Sequence, residues 1–504
     1  MLWSWLLKVL TLLVPFAMRT IVLYTLGNLY LGLGSLFSSV LQVLNLAELG
    51  VGSALAFAMY KPAAEDDTEK LCLLLNLYKI TYMAIGAFIA VVGLILMPFL
   101  PYLISGEVPS DINIYVLYGI YLASTVSSYW FFAYRGTILK VYQRSDITDK
   151  IDIIINLITY GIQVGCLYAF KNYYVYVFVH LCSSVLRSCV IALAVKKLYP
   201  NIIPKGKPSK EMTKAIFKKA GAVMGHKVGD VAINSIDNIL VSAFLGLTLV
   251  AQYNNYYYIF TAVAGFVAIL SSSLTPIVGN YLLKETKEKS YRLFEIMQYG
   301  LMIVISVCCC CFVTLYQPFI TFWVGEENVL PIWLPLLLTL LFFVQKSRHV
   351  LVLFKDAAGL WEKDWFKPWL QAIVNLIIDL WLLQTIGIYG APISSIVATF
   401  GVAFFIESYV VHKDVFKRSQ RQFLLQTFFY FFITFASCAG AYFACKYIDV
   451  GVPIVNLIIY FALALSIGCC TFVLATFWTT SFKDLCRFAQ SKLLKGKRLK
   501  KQHE

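Results

Sequence analysis

Apolar runs of spanning length recur from one end of the chain to the other, separated by short polar stretches. A helix needs about 20 such residues to cross the hydrocarbon core of a bilayer. Hydropathy predicts fourteen helices, over residues 2–26, 31–57, 73–104, 112–139, 151–170, 173–195, 220–246, 249–283, 293–317, 332–354, 368–386, 388–411, 423–445 and 453–478. The longest of them must tilt, kink or run past the membrane. The longest polar stretch, residues 196–219, is too short to be a folded domain. The expected fold class is therefore an all-α polytopic membrane protein with about 14 transmembrane helices. Its expected parts are an N-terminal lobe over 1–195, a basic linker over 196–219, a C-terminal lobe over 220–411, a helix pair within 412–478 and a basic tail over 479–504.

Composition supports the same class. Of the 504 residues 60% are hydrophobic and 14% charged, whereas a soluble domain has about a quarter charged. The net charge of +15 would suit nucleic acid, but no soluble domain is present to bind it. Its distribution gives orientation instead. With both termini in the cytosol, 32 of the 42 Lys and Arg fall in cytosolic segments and two, Lys171 and Lys446, in external loops. The external loops carry Glu107, Asp111, Glu326, Glu327 and Asp449. The N-terminus resembles a signal peptide only superficially, because Lys8 and Arg19 interrupt its apolar run and no small-x-small site follows. It reads as the first span.

The 13 cysteines lie mostly inside apolar runs, as in Cys308–Cys311, and read as small packing residues. Cys308 and Cys311 have a zinc-like spacing without a second pair. The five histidines form no HExxH, and no GxxxxGK[ST] occurs. No metal, cofactor or catalytic set is expected, and transport would draw on a gradient or a partner.

Weak echoes suggest an internal repeat. Leu26-Gly27 recurs as Leu245-Gly246 and Asn156-Leu157-Ile158 as Asn375-Leu376-Ile377, both at an offset of 219. Arg135 has an approximate counterpart in Arg348. Repeated bundles around a central site are a common plan of secondary transporters.

An ionised side chain at mid-bilayer costs about 2.5–3.5 kcal/mol on insertion scales, so each one asks for a reason. Arg19 lies roughly 26 Å along its helix from residue 2 at 1.5 Å per residue, beside Pro15, and either binds a ligand or pairs with Glu48. Asp230, Asn234 and Asp237 share one helix face at i, i+4 and i+7, with His226 and Lys227 a turn earlier. That face reads as an ion-coupling site or as a structural ion-pair patch. Arg135, Lys346, Arg348 and Lys355 fall near cytosolic span ends, where basic side chains snorkel routinely. Together they would ring the mouth of a cavity suited to phosphate, which arginine binds bidentately. The Tyr253–Tyr258 run reads as an interfacial belt, and Asn254 and Asn255 within it could meet sugar hydroxyls. Asp146, Asp149 and Asp152 imitate a metal–pyrophosphate motif but read as a solvated loop capping the next span. The basic tail reads as a contact for anionic membrane lipid.

These residues also resemble a family. Arg19–Gly27, continuing through Tyr30–Ala54, looks like the first two spans of Wzx-type polysaccharide flippases, as do Asp111–Tyr118, Ser235–Leu247 and Val250–Ile259. These flippases belong to the MOP superfamily with the MATE exporters and the lipid II flippase. The resemblance implies two six-helix lobes, a cationic cavity and alternating access in a bacterial cytoplasmic (inner) membrane. It implies a substrate of undecaprenyl pyrophosphate carrying an oligosaccharide repeat unit, as in O-antigen or capsule synthesis, and polymerase or assembly proteins as partners. An arginine in span one matters in the related lipid II flippases, and Arg19 would carry that role. One departure is the missing basic lead before span one. The expected pyrophosphate contacts are Arg19, Arg135, Arg348, Lys227 and Lys346, with ion coupling at Glu48, Asp230 and Asp237. The rivals are a cation-coupled drug exporter, disfavoured by the excess of basic residues, and a membrane glycan polymerase or ligase. The latter would need a large external loop, and the longest here, about 318–331, carries only Glu326 and Glu327.

Overall fold

Short polar side chains start many of the helices, each accepting from an amide that would otherwise be unpaired in the first turn. Asp67 accepts from Lys70, Asn113 from Tyr115 and Val116, Asn172 from Val175, Ser209 from Met212, and Thr286 from Lys289. The computed structural model describes residues 2–48, 50–272, 274–487 and 490, without the side chains of 2–12, 47, 219, 222–224, 226–228, 230–234 and 270–272.

The first helices are α1 (Leu2–Leu26), α2 (Asn28–Leu44), α3 (Val51–Ala64), α4 (Thr68–Leu96), α5 (Ile114–Trp130), α6 (Ala133–Val141), α7 (Ser145–Phe170), α8 (Tyr173–Leu198) and α9 (Lys210–Leu245). There follow α10 (Leu247–Ser272), α11 (Thr275–Lys284), α12 (Lys287–Val324), α13 (Trp333–Ser347), α14 (His349–Ala357), α15 (Lys367–Ile386), α16 (Gly390–Ala398), α17 (Phe405–Val410), α18 (Arg421–Lys446) and α19 (Pro453–Thr476). Joining α2–α3, α5–α6, α10–α11, α13–α14 and α16–α17 across short interruptions leaves fourteen segments, matching the fourteen expected. Among the described residues, by length and composition alone, eight helical stretches can cross a membrane, and three shorter apolar helices accompany them. The protein is an all-α polytopic membrane protein.

The hydropathy pattern did not reveal the interruptions. α2 gives way to a 3-10 turn at Asn45–Glu48, and Gly50 at φ 93 restarts the chain as α3. α5 ends at Trp130, and Phe132 sits at φ 57 before α6. In the second half the segment from α13 to α14 breaks too, at Arg348. Positive-φ glycines recur at the offset of the sequence echoes. Gly27 and Gly246 have φ 101 and 90, and Gly106 and Gly325 have φ 78 and 89. Glycine carries no Cβ penalty in that region. The loop between α8 and α9 is only 199–209, because both helices grow into the expected linker. Asp146, Asp149 and Asp152 lie in the first turns of α7 rather than in a loop, with Asp146 paired to Arg144 and Asp152 to Arg187.

Packing divides the chain into two units, Met1–Asn254 with Leu376–Ile388, and Asn255–Asn375 with Tyr389–Glu504. In the first unit α2 buries Leu33, Leu36, Phe37, Val40, Leu41 and Leu44, an i, i+3, i+4, i+7 face that packs on α9, α1 and α5. Gly32 opens this face to the start of α10, where a Cβ would collide with the carbonyl of Leu247. In the second unit α12 is the central helix, packed by α13, α18 and α19. Gly468 of α19 approaches it so closely that a Cβ would stand 3.1 Å from Val307 Cα and 3.2 Å from Cys310 Sγ. Cys310 in turn lies 3.9 Å from Cys438 Sγ on α18, so these cysteines act as small packing residues. This partition follows packing and not the repeat, and the two six-helix lobes remain a separate proposal.

Gly32→Ala forces a methyl into the backbone of α10 and should cost about 1–3 kcal/mol, typical of overpacking. Gly161→Ala, where nothing lies within 4 Å, should be neutral or stabilise by up to about 1 kcal/mol. Thermal unfolding of the two variants in lipid nanodiscs reads the difference.

Candidate functional site

Glu407 sits on α17 between two π-helical segments, Thr399–Phe404 and Val411–Phe416. Such wider turns in a helix frequently accompany functional sites. Its carboxylate has no solvent exposure, and an unpaired charge there would be prohibitive. Two cations meet it. Arg348, at the break between α13 and α14, places Nη1 3.2 Å from Oε2, and Lys367, at the start of α15, donates to Oε1. Lys367 also lies 3.6 Å from Asp364 Oδ2, which Lys355 of α14 approaches to 2.6 Å. Lys355, Asp364 and Lys367 are 3%, 0% and 8% exposed, while Arg348 keeps 16%. Apolar rings pack alongside, with Phe294, Phe354, Phe404, Phe416 and Phe423 fully or nearly fully buried. Lys346 points Nζ to His349 Nε2 at 3.3 Å, and Asp356 accepts from Trp361 Nε1 at 2.9 Å.

The sequence singles out Arg348, Lys346 and Lys355, whereas Lys367 and Asp364 fall between the expected spans 332–354 and 368–386 and draw no reading. The available signal was the i, i+3 pair Asp364/Lys367 immediately before a span. Arg348 was expected to face a ligand, and here it is engaged by Glu407.

The other candidates fall in the first unit, except Asn255, which begins the second. Arg19 Nη2 donates to the Ala251 carbonyl at 2.8 Å. Glu48 does not pair with it among the described residues. Instead Glu48 Oε1 accepts from Tyr82 at 2.6 Å, Tyr82 accepts from Tyr78 at 3.1 Å, and Gly52 leaves the room for these groups. Tyr129 donates to Asn45 at 3.1 Å, so the breaks after α2 and α5 adjoin. Backbone freed at membrane depth is tolerated where protein or a watery cavity satisfies it. Arg135 stacks its guanidinium over Phe132, 5.6 Å from the ring centroid. The side chains of Lys227 and Asp230 lie outside the described residues, as do those of His226 and Asn234. Asp237 is buried at 6% exposure.

Asn254 donates to Asn238 at 2.9 Å, and Asn238 to Ser39 at 3.1 Å, in a polar seam joining α10, α9 and α2. Asn255 is fully buried, so in this state protein surrounds it. The tyrosines between which the two asparagines lie are core rather than an interfacial belt. Tyr253 and Tyr256 are 2% and 0% exposed, and Tyr256 donates to Gln317 at 2.7 Å and accepts from the Leu330 amide at 3.0 Å. A polar seam was therefore hidden under an aromatic run. Asn375 and Asp379 are likewise fully buried, and Asn375 donates to Ser394 and Ser395. An apolar cleft of about 550 Å³ between α12, α13 and α18, lined by Cys309, Trp333, Phe343, Phe431, Cys438 and Tyr442, holds none of the charged candidates.

Buried charges on interrupted helices are held here within an all-α polytopic membrane fold. Solved structures agree with it. The chain is similar to the lipid II flippase MurJ in an inward closed conformation, at 12% identity and a TM-score of 0.68, over 94% of this chain and 98% of that one. It is also similar to an inward-facing multidrug resistance MATE family transporter of the MOP superfamily, at 16% identity and TM-score 0.59, over 78% and 92%. A third is a point mutant of the Vibrio cholerae MATE transporter VcmN, at 15% identity and TM-score 0.52, over 82% and 96%. The sequence pattern of the polysaccharide biosynthesis protein family matches residues 1–282, and the chain belongs to that family. A search of curated proteins finds no match.

The network predicts an unequal response to neutralisation. Lys355→Met leaves the fully buried Asp364 with only the more distant Lys367, and should lose about 3–5 kcal/mol. Lys61→Met, which removes an exposed i, i+4 pair with Glu65, should lose less than about 1 kcal/mol. Equilibrium unfolding of both in the same lipid separates them.

Proposed function

We propose that this protein is a flippase for lipid-linked glycans. It moves undecaprenyl-pyrophosphate-linked oligosaccharide units from the inner to the outer leaflet of a bacterial cytoplasmic membrane by alternating access, with both termini in the cytosol. The family membership carries this reading, since polysaccharide biosynthesis needs a way to carry a glycan past the bilayer. The transporter fold and the excess of basic residues support it. The head group sets the physical requirement. A pyrophosphate is at least doubly negative, and bringing it into a low-dielectric interior unpaired would be prohibitive. Arg19, Arg135 and Arg348, with Lys227 and Lys346, are the proposed contacts, because guanidinium matches phosphate oxygens bidentately. The sugars stay in water and the prenyl chain in lipid. Glu48, Asp230 and Asp237 are the proposed coupling carboxylates, which can exchange a cation when partly buried. The chemistry asks for no bond to be made or broken, so an enzymatic role is not part of the proposal.

The likeness to MATE transporters keeps a cation-coupled drug exporter as the second reading. Lipid-linked oligosaccharides from cells with and without the gene separate the two. Loss of a flippase leaves glycosylated undecaprenyl pyrophosphate accumulated on the cytosolic face and surface polymer lost. An unchanged lipid pool with altered resistance to cationic drugs would favour the exporter. Arg19→Ala should lower surface polymer on the order of tenfold or more, in keeping with the ~1.5–3 kcal/mol of a charged hydrogen bond. Arg19→Lys should be milder unless bidentate geometry matters.

A further inference from the structure

The five-residue network around Glu407 is unevenly built. Lys355, Asp364, Lys367 and Glu407 form a balanced quartet of two cations and two carboxylates, each 8% exposed or less. Arg348 is the surplus cation. It is the most exposed member, and among the described residues it touches the network through Glu407 alone, at 3.2 and 3.3 Å. Lys367 holds the same carboxylate more closely. Withdrawing Arg348 therefore leaves Glu407 paired, whereas withdrawing Lys355 would leave Asp364 only Lys367 at 3.6 Å. The arginine also stands at a helix break, between Ser347 and His349, where a small backbone rotation redirects a long side chain. The carboxylate stands between two π-helical segments.

We propose that Arg348 is an anion-binding switch, held by Glu407 when no ligand is present and transferred to a phosphate or pyrophosphate group when one arrives. Glu407 is then a positioning residue that competes with the ligand, and the quartet is the support that lets the arginine leave. No covalent bond changes. The arginine exchanges one set of oxygen acceptors for another and its charge stays constant. Around it, Lys346 and His349 add basic groups on α13 and α14, and Asp356 is the remaining carboxylate on α14, occupied by Trp361. Competition has a definite signature. The occupied fraction of the arginine lowers apparent affinity, so removing the competitor raises it. A purely structural pair predicts the reverse, because breaking it from either side damages the same region.

This inference rests on the flippase reading only for the source of the anion. The test uses the full chain in phosphatidylcholine nanodiscs titrated with inorganic pyrophosphate by calorimetry, alongside thermal unfolding. Arg348→Gln should weaken binding at least tenfold while unfolding stays close to wild type, since the quartet remains balanced. Glu407→Gln should tighten binding about threefold or more. If Glu407→Gln does not fold, Glu407→Asp keeps the charge for Lys367 but shortens the reach to Arg348, and should tighten binding in the same sense. Equal weakening by substitutions at both positions, or no change in either, overturns the proposal. A second arm adds undecaprenyl pyrophosphate to the nanodiscs. Loss of the pyrophosphate heat identifies a lipid head group as the occupant, and an unaltered heat identifies the free anion. Binding of pyrophosphate with this signature, beside an unchanged lipid-linked pool in cells, would retire the flippase reading and leave the switch intact.

Discussion

Asp364 and Glu407 have no contact with solvent, and the second unit is arranged around satisfying them. In a low-dielectric interior an ionised carboxylate needs a cationic partner, and leaving it uncompensated costs several kcal/mol. The chain supplies such partners from three places: Arg348 precedes α14, Lys355 lies in its last turn, and Lys367 begins α15. That arrangement fixes where span ten must break and where the next span must start. The aromatic cluster of Phe294, Phe354, Phe416 and Phe423 then closes the surroundings, which strengthens each ion pair by excluding water.

In the first unit neutral groups hold two of the buried polar side chains. Glu48 is held by tyrosine hydroxyls and Asn254 by a second asparagine, and the backbone released at the breaks of α2 and α5 lies against polar side chains. Close approach makes this possible. Gly32 lets α2 touch the start of α10, and Gly52 makes room for the Glu48–Tyr82–Tyr78 chain.

The sequence by itself determined the class and the fourteen helical segments, because bilayer thickness acts on every span independently and leaves its mark in local hydropathy. It also carried an echo at an offset of 219, since Gly27 and Gly246 adopt φ 101 and 90 with ψ about 180, a backbone region open to glycine. The broken spans and the pairing of charges were decided by tertiary structure alone. Hydropathy averages over a window and cannot register a 3-10 turn at Asn45 or a break at Arg348. Nor does it say that Asp364, in a polar stretch, is buried while Tyr24, in an apolar one, is exposed. Partners such as Arg348 and Glu407 lie 59 residues apart, and a charge's neighbours across that distance are fixed only when the helices that carry them pack.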